Sequence, residues 1–175
     1  MPTVSGYNTK MDFVELPSQL LEEWLWNKEM LKLASSHFET KAPLPDALID
    51  LKIKSKTVFS GRDSLRQLQF AKQSLEIFGP DFGALSAEEM DSTKMFKRIE
   101  RDMMKGIALN ESGHFQCSFG HLTGYGAAYY GYMWSKVFAL DVFDGIDKAE
   151  GLLSAAHGRR YSDVLLSCGG GREPN

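Results

Sequence analysis

Apolar residues return every three or four positions along most of this chain, and nowhere do they alternate for long enough to line one face of a strand. Such a pattern leaves packed helices as the way to build a core, so the expected class is mainly α, with no internal repeat. Leu16, Leu20 and Trp24 fall on one stripe with Leu21, Leu25 and Leu31 beside it, which predicts a helix from about Phe13 to Ser36. Pro17 fits only in its first turn, where the missing N–H has no intrahelical partner. Beyond the turn at Lys41-Ala42-Pro43-Leu44-Pro45, Asp46 reads as the N-cap of a second helix over 47–56. Phe59-Ser60-Gly61-Arg62-Asp63 interrupts the pattern. Leu65, Leu68, Ala71, Leu75 and Phe78 then give a third helix that ends at Gly79-Pro80. Ser86-Ala87-Glu88-Glu89 has the form of a capping box, and Met95, Ile99 and Met103 predict a helix with a Met-rich buried face. Asn110 to Gly126, with Gly113, Gly120, Gly124 and Gly126, reads as a loop of a length that usually carries function. A last strong helix is expected over 127–143 with Met133, Val137 and Leu140 on its apolar side, and Gly169-Gly170-Gly171 reads as a turn.

Composition bounds the partners. At 175 residues and 43% hydrophobic the chain can bury one core, as one domain or a large piece of a bigger one. Twenty Lys and Arg against 23 Asp and Glu give a net charge of −3, with the signs interspersed, which argues against nucleic acid as a partner. Apolar runs such as Val137-Phe138-Ala139-Leu140 are far shorter than the roughly 20 residues a spanning helix needs, so no membrane partner is expected. The chain opens without a charged stretch followed by an apolar one, so no secretory signal is expected. Cys117 and Cys168 lack partners at metal-ligand spacing and are expected to be free, buried thiols in a reducing compartment.

Two blocks concentrate the residue types that chemistry uses. In the first, Glu15, Gln19 and Glu22 stand at i, i+4 and i+7 on one helical face. By itself this is equally an ordinary solvated face. In the second, the glycine-rich Gly120-His121-Leu122-Thr123-Gly124 leads to Tyr125, Tyr129 and Tyr132, again at i, i+4 and i+7, with Lys136 continuing that side. A phenol keeps its proton at neutral pH, with an ordinary pKa near 10, and can donate to an oxygen that gains charge. Glycines let a backbone pass close to a bound peptide. The same spacing also describes an aromatic stripe packed as core. Of the other histidines, His37 and His157 read as surface residues, and His114 sits in the glycine-rich loop.

The string Asp12-Phe13-Val14-Glu15-Leu16-Pro17-Ser18-Gln19-Leu20-Leu21-Glu22, preceded by Ser5-Gly6-Tyr7-Asn8-Thr9, resembles a segment of the thimet oligopeptidase, oligopeptidase A and mitochondrial intermediate peptidase family of zinc metallopeptidases. His121-Leu122, Gly124-Tyr125-Gly126-Ala127 and Tyr129-Tyr130-Gly131-Tyr132 resemble that family's substrate-binding segment. The resemblance implies that Glu15 is a ligand to one catalytic zinc, completing two histidines and one glutamate with the fourth position open. It further implies Tyr132 as the oxyanion donor, Tyr125 as a second catalytic phenol, and His121, Tyr129 and Gly124 as substrate contacts. His-Glu-x-x-His occurs nowhere in the chain, and members carry it further upstream of this Glu than the fourteen residues available here. The expectation is therefore the helical C-terminal part of a zincin-like metallopeptidase catalytic domain, with residues 1–175 a single partial domain. Its expected partners are short peptides and the upstream portion bearing the missing motif, in the cytoplasm or the mitochondrial matrix. Alone, the chain is expected to be inactive, a non-catalytic helical fragment that binds peptides or serves a structural role, because one carboxylate gives zinc neither the ligand number nor the geometry it needs.

Overall fold

A computed structural model describes residue 4 and residues 6–146 and 150–173. All regular structure among them is helical, with no strand. The chain divides into two compact units, one of residues 1–58 and 134–175, the other of residues 59–133. Ser5, the first residue of the Ser-Gly stretch, and part of the loop expected before Thr9 lie outside the described residues.

In the first unit the single helix expected over 13–36 is three pieces: α1 (Leu16–Glu22), a 3₁₀ turn (Glu23–Trp26) and α2 (Lys28–Ala34). Asn27 divides them. Its backbone is extended, at φ −100° and ψ 135°, and its side-chain oxygen accepts from the N–H groups of Glu29 and Met30. A residue that caps a new helix cannot also continue the old one. Pro17 does sit in the first turn of α1. The next helix, α3, covers Asp46–Ser55, and Asp46 is its first residue rather than its cap. The Asp46 carboxylate pairs with Lys28 at 3.2 Å and Lys32 at 2.6 Å, which ties α3 to α2.

Leu16 and Leu20 of α1 are buried with Ala139 of α6 (Gly131–Asp144). Phe13, Trp24, Phe138, Val142 and Phe143 close around them together with Tyr161 of α7 (Ala155–Tyr161). Phe13 meets Phe138 edge-on at 6.0 Å, Trp24 meets Phe143 at 5.5 Å, and Trp24 Nε1 donates to the Leu152 carbonyl. The apolar side expected of α6 points the other way: Val137 is 65% exposed and Leu140 is exposed too, while Ala139 and Ser135 are buried. Two aromatic edges, Phe138 and Phe143, claim the packed face, and Ser135 fits beneath because its hydroxyl donates to the Asp12 carbonyl. The turn Gly169–Gly171 passes so close to residues 8 and 9 that a Cβ at Gly170 would lie 1.7 Å from the Asn8 carbonyl oxygen, so only glycine fits there.

Among the described residues of this unit Glu23 is the one strongly buried carboxylate, at 3% exposure, and it accepts from Lys136 and Lys56. Burial alone would push its carboxyl up, but the two ammonium groups outweigh that and hold it below its ordinary 4.5. A carboxyl depressed on folding contributes stability above 4.5 and loses it as pH falls through the lower folded value. Glu23→Gln is expected to cost about 2–3 kcal/mol at neutral pH, below the full cost of a broken buried pair because both lysines are partly solvated. Urea denaturation of both proteins at several pH values checks this. Parallel acid limbs would remove the role of Glu23.

In the second unit α4 spans Ser60–Phe78, beginning inside the stretch expected to interrupt it. Gly61 lies in its first turn, where a Cβ would meet nothing within 4 Å, so no contact requires glycine there. The expected stripe is mostly on the outside: Leu65, Leu68, Leu75 and Phe78 are exposed, and the buried positions are Gln69, Phe70, Ala71, Gln73 and Ser74. Phe70 selects that face by stacking on Phe115 and packing against Phe119 and the edge-on Tyr129, with centroids 4.8 to 5.7 Å away. Ser74 follows it inward and donates to the Gly126 carbonyl. The Ser86 and Glu89 pair does form reciprocal hydrogen bonds, yet it closes only a turn. The helix after it, α5 (Ser92–Met103), is capped by Asp91 and buries Met95, Phe96 and Ile99.

Cys117 and Cys168 are free, as expected, but neither is buried: the first is exposed and the second half-buried. No helix among the described residues is long and apolar enough to cross a membrane.

Candidate active site

Glu15 stands immediately before α1, in the first unit, with a half-buried side chain. The helix begins here because Pro17 presets its first turn. Ser18, one turn on, places its hydroxyl 2.8 Å from Glu15 Oε2 and 2.9 Å from the Glu15 carbonyl oxygen, so its one proton is within reach of either acceptor. Sequence reasoning passed over Ser18, although an i, i+3 hydroxyl at a helix start is a recognisable local bond. Of the other residues on the expected face, Glu22 lies 3.8 Å from Lys136 and so belongs to the Glu23 ion-pair group. Lys136 is likewise held by Glu23, at 2.8 Å. Among the described residues no three His, Cys, Asp or Glu converge on a point where a metal ion could sit. Glu15 can offer one carboxylate of the four ligands that a zinc ion takes.

The second block is built differently from the expected helix but brings its residues together. Gly120–Thr123 and Gly126–Ala128 are 3₁₀ turns, and α6 starts only at Gly131. Gly126, at φ +54°, opens the second turn in a left-handed conformation that favours glycine. Ser74 fixes this kink from α4, since its hydroxyl holds the Gly126 carbonyl. The chain therefore folds back on itself, and the His121 ring meets Tyr125, Tyr129 and Tyr132 at centroid distances of 5.0, 5.0 and 5.5 Å, all edge-on. His121 Nε2 lies 3.0 Å from the Tyr132 hydroxyl, which donates to the Tyr125 hydroxyl at 3.1 Å.

Tyr129 is the most enclosed of the three, at 6% exposure, and its hydroxyl donates to Gln67 of α4 at 3.0 Å. Burial pushes its phenol above the ordinary 10.0, so it stays protonated at neutral pH. Gln67 was invisible as a site neighbour in the sequence, because it lies 62 positions away. An open groove of about 520 Å³ runs past Phe119, His121, Gly124, Tyr125 and Tyr129. A Cβ at Gly124 would meet nothing within 4 Å, so the backbone there stands clear on the groove side. His114 is exposed and lies 3.4 Å from Thr93, away from this group. His37 is exposed and accepts from the N–H of Thr40, whereas His157 is half-buried and faces Glu150.

The family model described as Peptidase family M3 matches residues 1–175. The chain is 35% identical over 177 residues to oligopeptidase A of Escherichia coli (strain K12), covering 98% of this chain and 25% of that protein. It is 37% identical over 162 residues to saccharolysin of Saccharomyces cerevisiae, covering 91% of this chain and 22% of that one. With the mitochondrial intermediate peptidase of Candida glabrata the identity is 28% over 174 residues, 99% of this chain and 22% of the relative. The chain thus spans about a quarter of the length of the curated relatives it matches.

Proposed function

The chain belongs to Peptidase family M3, and from that premise we propose that it forms part of the catalytic domain of a zinc-dependent oligopeptidase that hydrolyses short peptides in its full-length form. Both units are read as parts of that one domain. The observation that carries the reading is the group formed by His121, Tyr125 and Tyr132, in which two phenols and an imidazole share one hydrogen-bonded chain beside an open groove. Phenols that keep their protons at neutral pH are suited to donate to a carbonyl oxygen as it gains charge, and they do so most effectively when already aimed. Tyr132 and Tyr125 are assigned that task. His121, Tyr129 and Gly124, which line the groove, are assigned to hold the peptide.

Glu15 is assigned as one zinc ligand of the full-length protein, oriented by Ser18. The two histidines and the general base of His-Glu-x-x-His come from outside this sequence, so the chain alone is read as inactive. The exposed Leu65, Leu68, Leu75 and Phe78 on α4 fit that view, since they are the apolar surface a larger protein would cover. The compartment is read as the cytoplasm or the mitochondrial matrix.

A quenched fluorogenic peptide tests the reading. The chain alone should leave it intact and carry no stoichiometric zinc, and the full-length protein should cleave it in a chelator-sensitive manner. Chelator-sensitive cleavage by the chain alone would overturn the split, and a full-length protein without peptidase activity would overturn the function.

A further inference from the structure

A cavity of about 600 Å³ lies within the first unit, lined from α1, α6 and α7. Leu20, Trp24, Val142, Leu152 and Leu165 make its wall largely apolar. Part of that wall is a single π-helical turn, Ser162–Leu166, in which the Ser167 N–H reaches back to the Ser162 carbonyl at 2.8 Å. Turns of this kind are rare and occur frequently at functional sites. A mainly apolar cavity of this size, with a few polar groups to fix orientation, is the form that small-molecule sites take.

The polar groups here carry opposite charges. Asp141 and Arg160 both line the cavity and are exposed, and neither side chain has a hydrogen-bond or ion-pair partner among the described residues. The remaining ionisable side chains of the wall are otherwise engaged or neutral. His157 Nε2 faces Glu150 at 3.5 Å, and burial pushes the Tyr161 phenol above its ordinary 10.0.

We propose that this cavity binds an apolar dipeptide, with its side chains against the apolar wall, its carboxylate at Arg160 and its ammonium group at Asp141. One anion and one cation beside the same apolar space match a ligand that is greasy in its middle and carries both signs at its ends. A fatty acid would satisfy Arg160 but bring a second carboxylate up to Asp141, and an apolar amine would meet the opposite conflict at Arg160. The cavity takes no residue from the groove at His121, and its occupation does not rest on the proposed function.

Trp24 supplies the readout, because it lines the cavity and its Nε1 donates to the Leu152 carbonyl of the same wall. Full-length protein labelled with 5-fluorotryptophan is titrated with L-leucyl-L-leucine, its N-acetyl form and its C-terminal amide, and the Trp24 signal is assigned by Trp24→Phe. That signal should move saturably with the free dipeptide. Each capped form should bind about two- to fivefold more weakly, the range of an exposed ion pair. Arg160→Gln should bind the free dipeptide and the amide equally, and Asp141→Asn should bind the free and acetylated forms equally. A Trp24 signal indifferent to the dipeptide overturns the proposal, since the cavity is then closed or filled in the full-length protein. Capped forms that bind the parent as well as the free dipeptide, or a preference for the free form that survives both substitutions, overturn it too. Peptidase activity plays no part in the measurement, so a full-length protein that binds as expected but cleaves nothing overturns the proposed function and leaves this site standing.

Discussion

Under the proposed function, Tyr132→Phe is expected to lower kcat of the full-length protein by about 10²–10³-fold, the loss seen when one donor to a developing oxyanion is removed. KM should change far less, because the interaction matters in the transition state and not in the bound substrate. The substitution is a clean probe here. It removes the hydroxyl that links His121 to Tyr125 but keeps the ring, which packs on Tyr129 at 4.9 Å and on Tyr125 at 5.6 Å. The fold should therefore survive, and unfolding of the variant can be compared directly with the parent. Unchanged turnover in a folded variant would end the assignment of Tyr132 to the reaction.

The second large effect is expected at Glu15. Glu15→Gln retains the shape of the side chain and an oxygen that Ser18 can still reach, yet it loses the charge a zinc ligand needs. Metal affinity of the full-length protein should fall by more than the roughly 10–100-fold that changes to outer-shell partners cost. Dialysed variant should lose its zinc and its activity together while unfolding at the parent's denaturant concentration. Zinc retained in full stoichiometry through dialysis would remove Glu15 from the ligand set.

Much of this was legible along the chain. The helices from Asp46 to Ser55, Ser60 to Phe78 and Ser92 to Met103 follow from apolar spacing and from Pro and Gly punctuation, because those signals act within a few residues. His121, Tyr125 and Tyr132 could be singled out by residue type and likeness, and the structure does gather them. Their gathering has a cause that the spacing misdescribed. An unbroken helix would have set the phenols in a row, but the left-handed Gly126 folds the segment so that they close around the imidazole.

Which face of each helix is buried was not legible in α4 or α6. Leu65, Leu68 and Leu75 outrank Gln69, Gln73 and Ser74 on any hydrophobic scale, and yet the polar set is buried. Burial of Gln73, 0% exposed and with no hydrogen-bond partner for its amide among the described residues, is a cost that no local rule would choose. Phe70 overrides it by stacking on Phe115 and Phe119, which come from a segment about 45 positions away.

The sequence by itself determined the helical class, the family, and the residue types in the Glu15 block and in the His121 block, because local spacing and short motifs are properties of neighbours. Only the tertiary structure decided which helix faces are buried, that Glu23 joins Lys56 to Lys136, and that His121, Tyr132 and Tyr125 come within hydrogen-bond distance of one another in turn. Those outcomes depend on distances between groups far apart in the chain. Packing sets such distances, and a string of letters does not carry them.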